Sequence, residues 1–144
     1  MCISYLTIEA KSSPPLELRS KIGDWFFGCD LCQTTCPWNE KVFRHLDLKP
    51  SNETDTAPLL DLSNLEKTEL ILFFKKILNS SNKKIAKDFS GSALMRAGGN
   101  GLKRNALIVI GNRKIKELEN DVKLQMANPK LTELASWCIN QLLN

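Results

Sequence analysis

The apolar positions in the second half of the chain recur at helical spacing. Leu65, Leu70, Phe73, Phe74, Ile77 and Leu78 form one stripe. They predict a helix opened by the capping box Ser63-Asn64-Leu65-Glu66 and running to about Asn79. A second, short helix is expected over Lys83 to Phe89. Ala97-Gly98-Gly99-Asn100-Gly101 reads as a break, after which Leu102 to Ile110 forms an apolar helix ended by Gly111-Asn112. Ile115, Leu118, Val122 and Met126 predict an amphipathic helix that stops at Asn128-Pro129. Leu131, Leu134, Ala135, Cys138, Ile139 and Leu142 mark the last one. In the first half, Ile3 to Glu9 reads as a short helix or extended turn. Pro14-Pro15 restarts the chain, and Leu16 to Ile22 fits a two-turn helix closed by Gly23. Asp47 to Asp61, with two prolines and many turn residues, is the expected connector between the halves. Short antiparallel helices of this kind suggest a helical-repeat arrangement.

At 144 residues, with 42% hydrophobic and 25% charged side chains, the chain has the composition of one soluble domain or two small ones. That excludes collagen, coiled coil and wholesale disorder. The longest greasy stretches, such as Leu70 to Phe74, are far short of the roughly 20 residues of a membrane helix. Met1-Cys2-Ile3-Ser4 shows neither a basic n-region nor a long apolar h-region, so the expected compartment is the cytoplasm. The formal charge of +4 is unevenly spread: residues 1–62 carry a net −3 and residues 63–144 a net +7. Between Lys75 and Lys116 eleven Lys and Arg face Asp88 alone. A surface so one-sided repels itself unless a polyanion covers it, which points to nucleic acid. Arg96, Lys103, Arg104, Arg113 and Lys114 flank the glycine break and the apolar helix after it. Lys103 and Arg104 are expected in that helix's first turn, where backbone N–H groups favour anions.

Five cysteines are too few and too odd in number for a disulfide framework. Cys29, Cys32 and Cys36 fall in a C-x2-C-x3-C-P run, Gly28-Cys29-Asp30-Leu31-Cys32-Gln33-Thr34-Thr35-Cys36-Pro37, and Cys2 lies upstream. Bacterial ferredoxins use C-x2-C-x2-C-x3-C-P, whose last cysteine ligates the other cluster of a pair. Here the first cysteine of that run is replaced by a distant one. Three thiolates must then converge on three irons of one cubane. A tight turn is expected to pair Cys29 with Cys32, a looping segment to return Cys2, and Pro37 to turn the chain away. Zinc competes, because Cys2, Cys29, Cys32 and Cys36 make a count of four. Zinc sites usually bring two C-x2-4-C pairs, which this run does not. Cys138 lies on the apolar stripe of the last helix and reads as a core residue. His45 stands alone and reads as structural or surface.

Two stretches resemble the epoxyqueuosine reductase family. The first is Cys2-Ile3-Ser4-Tyr5-Leu6-Thr7-Ile8-Glu9, followed by Ile22-Gly23 and by Phe27 through Cys36-Pro37-Trp38-Asn39. The second runs from Gly91-Ser92-Ala93-Leu94 through Arg96 and Gly101-Leu102-Lys103-Arg104-Asn105-Ala106 to Ile110-Gly111-Asn112. The resemblance implies the last step of queuosine synthesis, reduction of the epoxide on the modified wobble base of tRNA. It also implies cobalamin, two [4Fe-4S] clusters in a ferredoxin-like domain, and C-terminal helical repeats that hold the tRNA. On that pattern Cys2, Cys29 and Cys32 bind one cluster and Cys36 the other.

The chain departs from the family where the family's cobalamin-binding N-terminal domain and first cysteine run would precede Cys2. The family's proposed catalytic acid lies in that part, so no residue here inherits a catalytic role. The resemblance therefore implies a mainly α chain. Residues 1–46 are a partial 4Fe-4S ferredoxin-like segment, 47–61 a linker, and 62–144 a HEAT-like domain that binds tRNA. Such a chain would be the C-terminal portion of a reductase, as a truncated gene product, a fragment, or one half of a split enzyme that works only with an N-terminal partner and an electron donor the sequence does not name. The non-enzymatic alternative is an RNA-binding helical module with a structural metal site. A ferredoxin-like carrier needs a complete ligand set and is disfavoured.

Overall fold

The computed structural model describes residues 2–45, 62 and 65–144. The expected connector, and Ser63-Asn64 of the expected capping box, lie outside the described residues. Secondary structure among the described residues is helical throughout, with no strand. A π-helix covers Tyr5–Glu9, followed by α1 (Leu16–Ile22), α2 (Leu31–Thr34), α3 (Pro37–His45), α4 (Lys67–Asn79) and α5 (Asn82–Asp88). A 3-10 turn at Ala93–Arg96 leads into α6 (Gly98–Arg113), and α7 (Glu119–Leu124) and α8 (Thr132–Leu143) complete the order.

α6 is the centre. Leu102 and every residue from Arg104 to Gly111 are buried, so this helix is covered on all sides rather than along one stripe. α8 packs along it with Leu134, Ala135, Cys138 and Leu142 turned inward. α4 contributes Leu70, Phe74, Ile77 and Leu78, and α5 contributes Ile85. The N-terminal segment joins the same core through Leu6, Ile22 and Phe26. Phe26 meets Phe73 edge-on at 5.4 Å between centroids and Phe74 at 5.8 Å. Arg19, buried in α1, donates to both carboxylate oxygens of Glu133 on α8 at 2.7 and 2.8 Å and stacks over Trp137. Asn112 closes the join by donating to the carbonyls of Arg19 and Gly23.

Three boundaries differ from the sequence reading. α4 opens at Glu66, whose N–H donates to the Glu69 carboxylate at 3.3 Å, so its cap lies later than Ser63. The glycine-rich stretch is not a break but the first turn of α6, and only Gly98, at φ +70°, has turn geometry. Gly99 is helical because α5 comes close: a Cβ there would stand 3.0 Å from the backbone Cα of Asn82 and nearer still to its side chain. Close backbone approach overrides glycine's poor helix propensity. The single helix expected over 115–126 is divided into a 3-10 turn at Lys116–Leu118, α7, and a second 3-10 turn at Gln125–Ala127. Side-chain bonds hold these turns to α4: Asn79 donates to Asp121 at 2.6 Å and Gln125 to the Leu78 carbonyl at 3.0 Å.

Where α6 crosses α8 the contact has no slack. A Cβ on Gly111 would lie 2.8 Å from Cζ3 and 3.1 Å from Cη2 of Trp137, a rigid ring already held under Arg19. Gly111→Ala will lose about 1–3 kcal/mol of stability, as overpacking does, despite alanine's better helix propensity. Urea unfolding checks this; a variant as stable as the parent would show that the ring yields freely.

Candidate metal centre and nucleic-acid interface

Two short helices that the apolar pattern did not announce divide the C-x2-C-x3-C-P run: Cys32 lies in α2, Cys29 precedes it, and Cys36 stands between α2 and α3. Cys29 precedes Asp30, whose carbonyl accepts from the N–H groups of Gln33 and Thr34 at 2.8 and 3.0 Å to close α2 around Cys32. Thr34 and Thr35 hydroxyls donate to the Leu31 carbonyl and hold that turn. Pro37 is the first residue of α3, where its missing N–H costs nothing. It redirects the chain by starting a helix, with the Cys36 carbonyl accepting from Glu40 N–H at 3.1 Å. Asn39 donates to the Gln33 side-chain oxygen at 2.7 Å and to its carbonyl at 3.1 Å. The Gln33 amide nitrogen is thereby left 4.0 Å from the Cys32 sulfur.

The segment that follows Cys2 is joined to this region by a separate tie. Its carbonyl accepts from Leu6 N–H at 3.2 Å, at the entrance of the π-helix. One residue further, the buried Thr7 hydroxyl donates to the Ile3 carbonyl at 3.0 Å and accepts from Gly28 N–H at 3.0 Å. Gly28 adopts φ +75°, a left-handed conformation that glycine takes at no steric cost. The residue before Cys29 is thus bonded to the helix that begins beside Cys2.

All five cysteines are free. Cys2 and Cys32 are exposed and Cys29 and Cys36 half-buried, whereas Cys138 is fully buried, and burial pushes its thiol up to about 12. Four accessible thiols and one sealed one separate the candidate ligands from the core residue. Leu31, Trp38 and Tyr5, large apolar side chains on the same segments, are exposed too. Among the described residues no three His, Cys, Asp or Glu converge as the ligands of a single metal ion would. A cubane asks for something different, one thiolate on each iron, with the thiolates held apart. The donor set of Cys2, Cys29, Cys32 and Cys36 fits that demand in chemistry and in accessibility.

The five basic residues singled out by sequence have different situations. Arg96 is exposed and paired with Glu9. Arg113 is half-buried and pairs with Asp24 at 3.0 Å. Lys103 is half-buried, and desolvation lowers its pKa. Lys114 is exposed and caps α6 in the left-handed conformation, φ +50°. Arg104 faces inward. Because α6 begins at Gly98, Arg104 lies past the first turn and only 3% exposed, with burial lowering its pKa. Its guanidinium donates to the carbonyls of Leu6 (2.8 Å), Thr7 (3.2 Å), Ser12 (3.3 Å) and Ala10, and to the Asn105 side-chain oxygen. Those bonds occupy the guanidinium with protein acceptors, so Arg104 is a structural clamp rather than a phosphate grip.

Two further basic residues, not singled out by the sequence, come together in the structure. Lys11 and Lys130 lie far apart in the sequence, yet they line one open cavity of about 270 Å³ with Ser13 and with Asn100, Gly101 and the buried Arg104 of α6. Isolated lysines outside the dense basic stretch carry no signal of their own in the sequence.

Comparison with known proteins places these features. Residues 1–39 match the family described as a 4Fe-4S double cluster binding domain. The chain is 41% identical over 111 residues to an epoxyqueuosine reductase of Pseudomonas aeruginosa, covering 77% of this chain and 27% of that protein. It is 36% identical over 142 residues to the epoxyqueuosine reductase of Escherichia coli K12, covering 97% of this chain and 34% of that one. The structure superposes with a TM-score of 0.70 and 26% identity on a crystal structure of epoxyqueuosine reductase with a tRNA-Tyr epoxyqueuosine-modified stem loop, covering 99% of this chain and 35% of that one. The chain is thus related in sequence and in fold to the epoxyqueuosine reductases, over about a third of their length.

Proposed function

We propose that this chain supplies the C-terminal portion of an epoxyqueuosine reductase, which converts epoxyqueuosine to queuosine in tRNA. In this reading Cys2, Cys29 and Cys32 ligate one [4Fe-4S] cluster and Cys36 ligates a second. An N-terminal part provides the remaining thiolates, the cobalamin and the catalytic acid. When bound, the clusters supply single electrons to the corrin. This chain's own residues hold the thiolates in place and present a helical, HEAT-like surface to the tRNA. The observation that carries the reading is the separation of the thiols: four are accessible and lie on segments joined by the Thr7–Gly28 bond, and the fifth is sealed in the core. Lys114, Lys103 and the Lys11–Lys130 cavity are the basic positions offered to the phosphate backbone, and among the described residues none of these four has an ion-pair partner.

Anaerobic reconstitution with iron and sulfide tests it. The chain alone is expected to give incomplete clusters, and the chain mixed with the cobalamin-binding N-terminal half of a reductase to give two. Two full cubanes on the isolated chain, or retention of zinc in place of iron, would refute the shared ligand set. Charge reversal at Lys103 and Lys114 is expected to weaken binding of a tRNA stem loop and to reduce its salt slope by about 1 per lost phosphate contact.

A further inference from the structure

The Cys2 segment and the Cys29 segment come from different parts of the chain, and nothing covalent fixes their separation. One buried network joins the two segments. The last carbonyls of a helix have no partner within it. At the end of the Tyr5–Glu9 π-helix, the carbonyls of Leu6 and Thr7 are filled from outside by Arg104, and Asn105 donates to the Thr7 carbonyl again at 2.7 Å. Ala10 and Ser12, just past the helix, are held by the same guanidinium. Thr7 is therefore immobilised by α6 through its carbonyl, while its hydroxyl faces the other way and accepts the Gly28 N–H. Its side chain is fully buried, so water offers no substitute for that bond.

We propose that Thr7 is the positioning residue of the iron–sulfur site, the group that sets the separation of the Cys2 and Cys29 sulfurs. Arg104 and Asn105 of α6 serve as its anchor. This rests on the reading that Cys2, Cys29 and Cys32 share a cluster. Thr7 touches neither iron nor sulfide; it acts through the backbone of the ligands. Valine has the same shape without the hydroxyl, and serine keeps the hydroxyl without the methyl. The two variants therefore separate hydrogen bonding from packing.

The test has two arms. In the first, the 144-residue chain carrying Cys32→Ser and Cys36→Ser is treated with a short bismaleimide, and bridging of Cys2 to Cys29 is timed; Cys138 is buried and needs no replacement. Thr7→Val is expected to slow bridging, and Thr7→Ser to restore it. In the second, the chain with its native cysteines is loaded anaerobically with iron and sulfide, alone and with the N-terminal half, and challenged with an iron chelator. Thr7→Val is expected to release iron about 10-fold faster than the parent and Thr7→Ser at nearly the parental rate, as the loss of a supporting contact behind a ligand does. Both are read well below the melting temperature of each apo chain, so a general loss of stability is not mistaken for loss of position. Equal bridging in Thr7→Val and the parent overturns the proposal. A parent chain that binds no cluster in either setting overturns the cluster reading instead, and with it the purpose assigned to the spacing.

Discussion

Arg104→Ala will lower the unfolding free energy by about 3–5 kcal/mol, because it orphans several buried acceptors at once and leaves a cavity beside them. The carbonyls of Leu6, Thr7, Ala10 and Ser12 and the Asn105 side chain all lose a donor. Arg104→Lys will recover only part of this. An ammonium is a point donor on a flexible stem and cannot reproduce a planar fork bonded at both terminal nitrogens. Urea unfolding monitored by circular dichroism gives the free energies. Amide exchange should locate the change, with faster exchange at residues 5–12 ahead of α8. If Arg104→Ala is as stable as the parent, the guanidinium is not a clamp and its burial needs another account.

Phe74→Ala carries an expected loss of similar size, about 3–5 kcal/mol, for a different reason. Phe74 is fully buried on α4 and lies 5.8 Å from Phe26 and 5.6 Å from Phe73. Tilted and edge-on rings of this kind add to the area they bury. Phe26 belongs to the segment that leads into Gly28 and Cys29, so the deletion removes the apolar half of the join between the cysteine segment and the helical part. Global stability should fall, and exchange at residues 24–29 should rise more than exchange within α8. A loss under about 1 kcal/mol would mean that the cluster of three phenylalanines repacks around the gap.

These two sites show what could be read from the chain and what could not. Phe74 was on the apolar stripe of α4, and the stripes of α4 and α8 give their faces directly because each helix has one wet side. The thiol motif was equally legible, since Cys29, Cys32, Cys36 and Pro37 are close in sequence and their spacing has a chemical meaning. α2 and α3 were not legible: four residues make too short a helix for periodicity, and α3 starts at a proline chosen for its terminus. The first turn of α6 was misread because glycine predicts a break, while the reason for Gly99 lies on α5. Arg104 was misread for the same kind of reason. Beside Lys103 it looks like surface charge, and only the distant carbonyls of Leu6 to Ser12 explain why it turns inward. Partners remote in sequence were invisible in each case, and so was the convergence of Lys11 with Lys130.

The sealed position of Cys138 has a practical side. With its thiol raised to about 12, almost none of it is ionised at neutral pH, and alkylating reagents attack the thiolate. One sulfhydryl per molecule therefore stays silent in the native protein and answers only once the chain is denatured. In cluster-free protein the difference between the two titres counts polypeptides, while the native titre counts the ligand sulfurs still reduced. Every cluster-free sample thus contains its own calibrant for how far air exposure has gone.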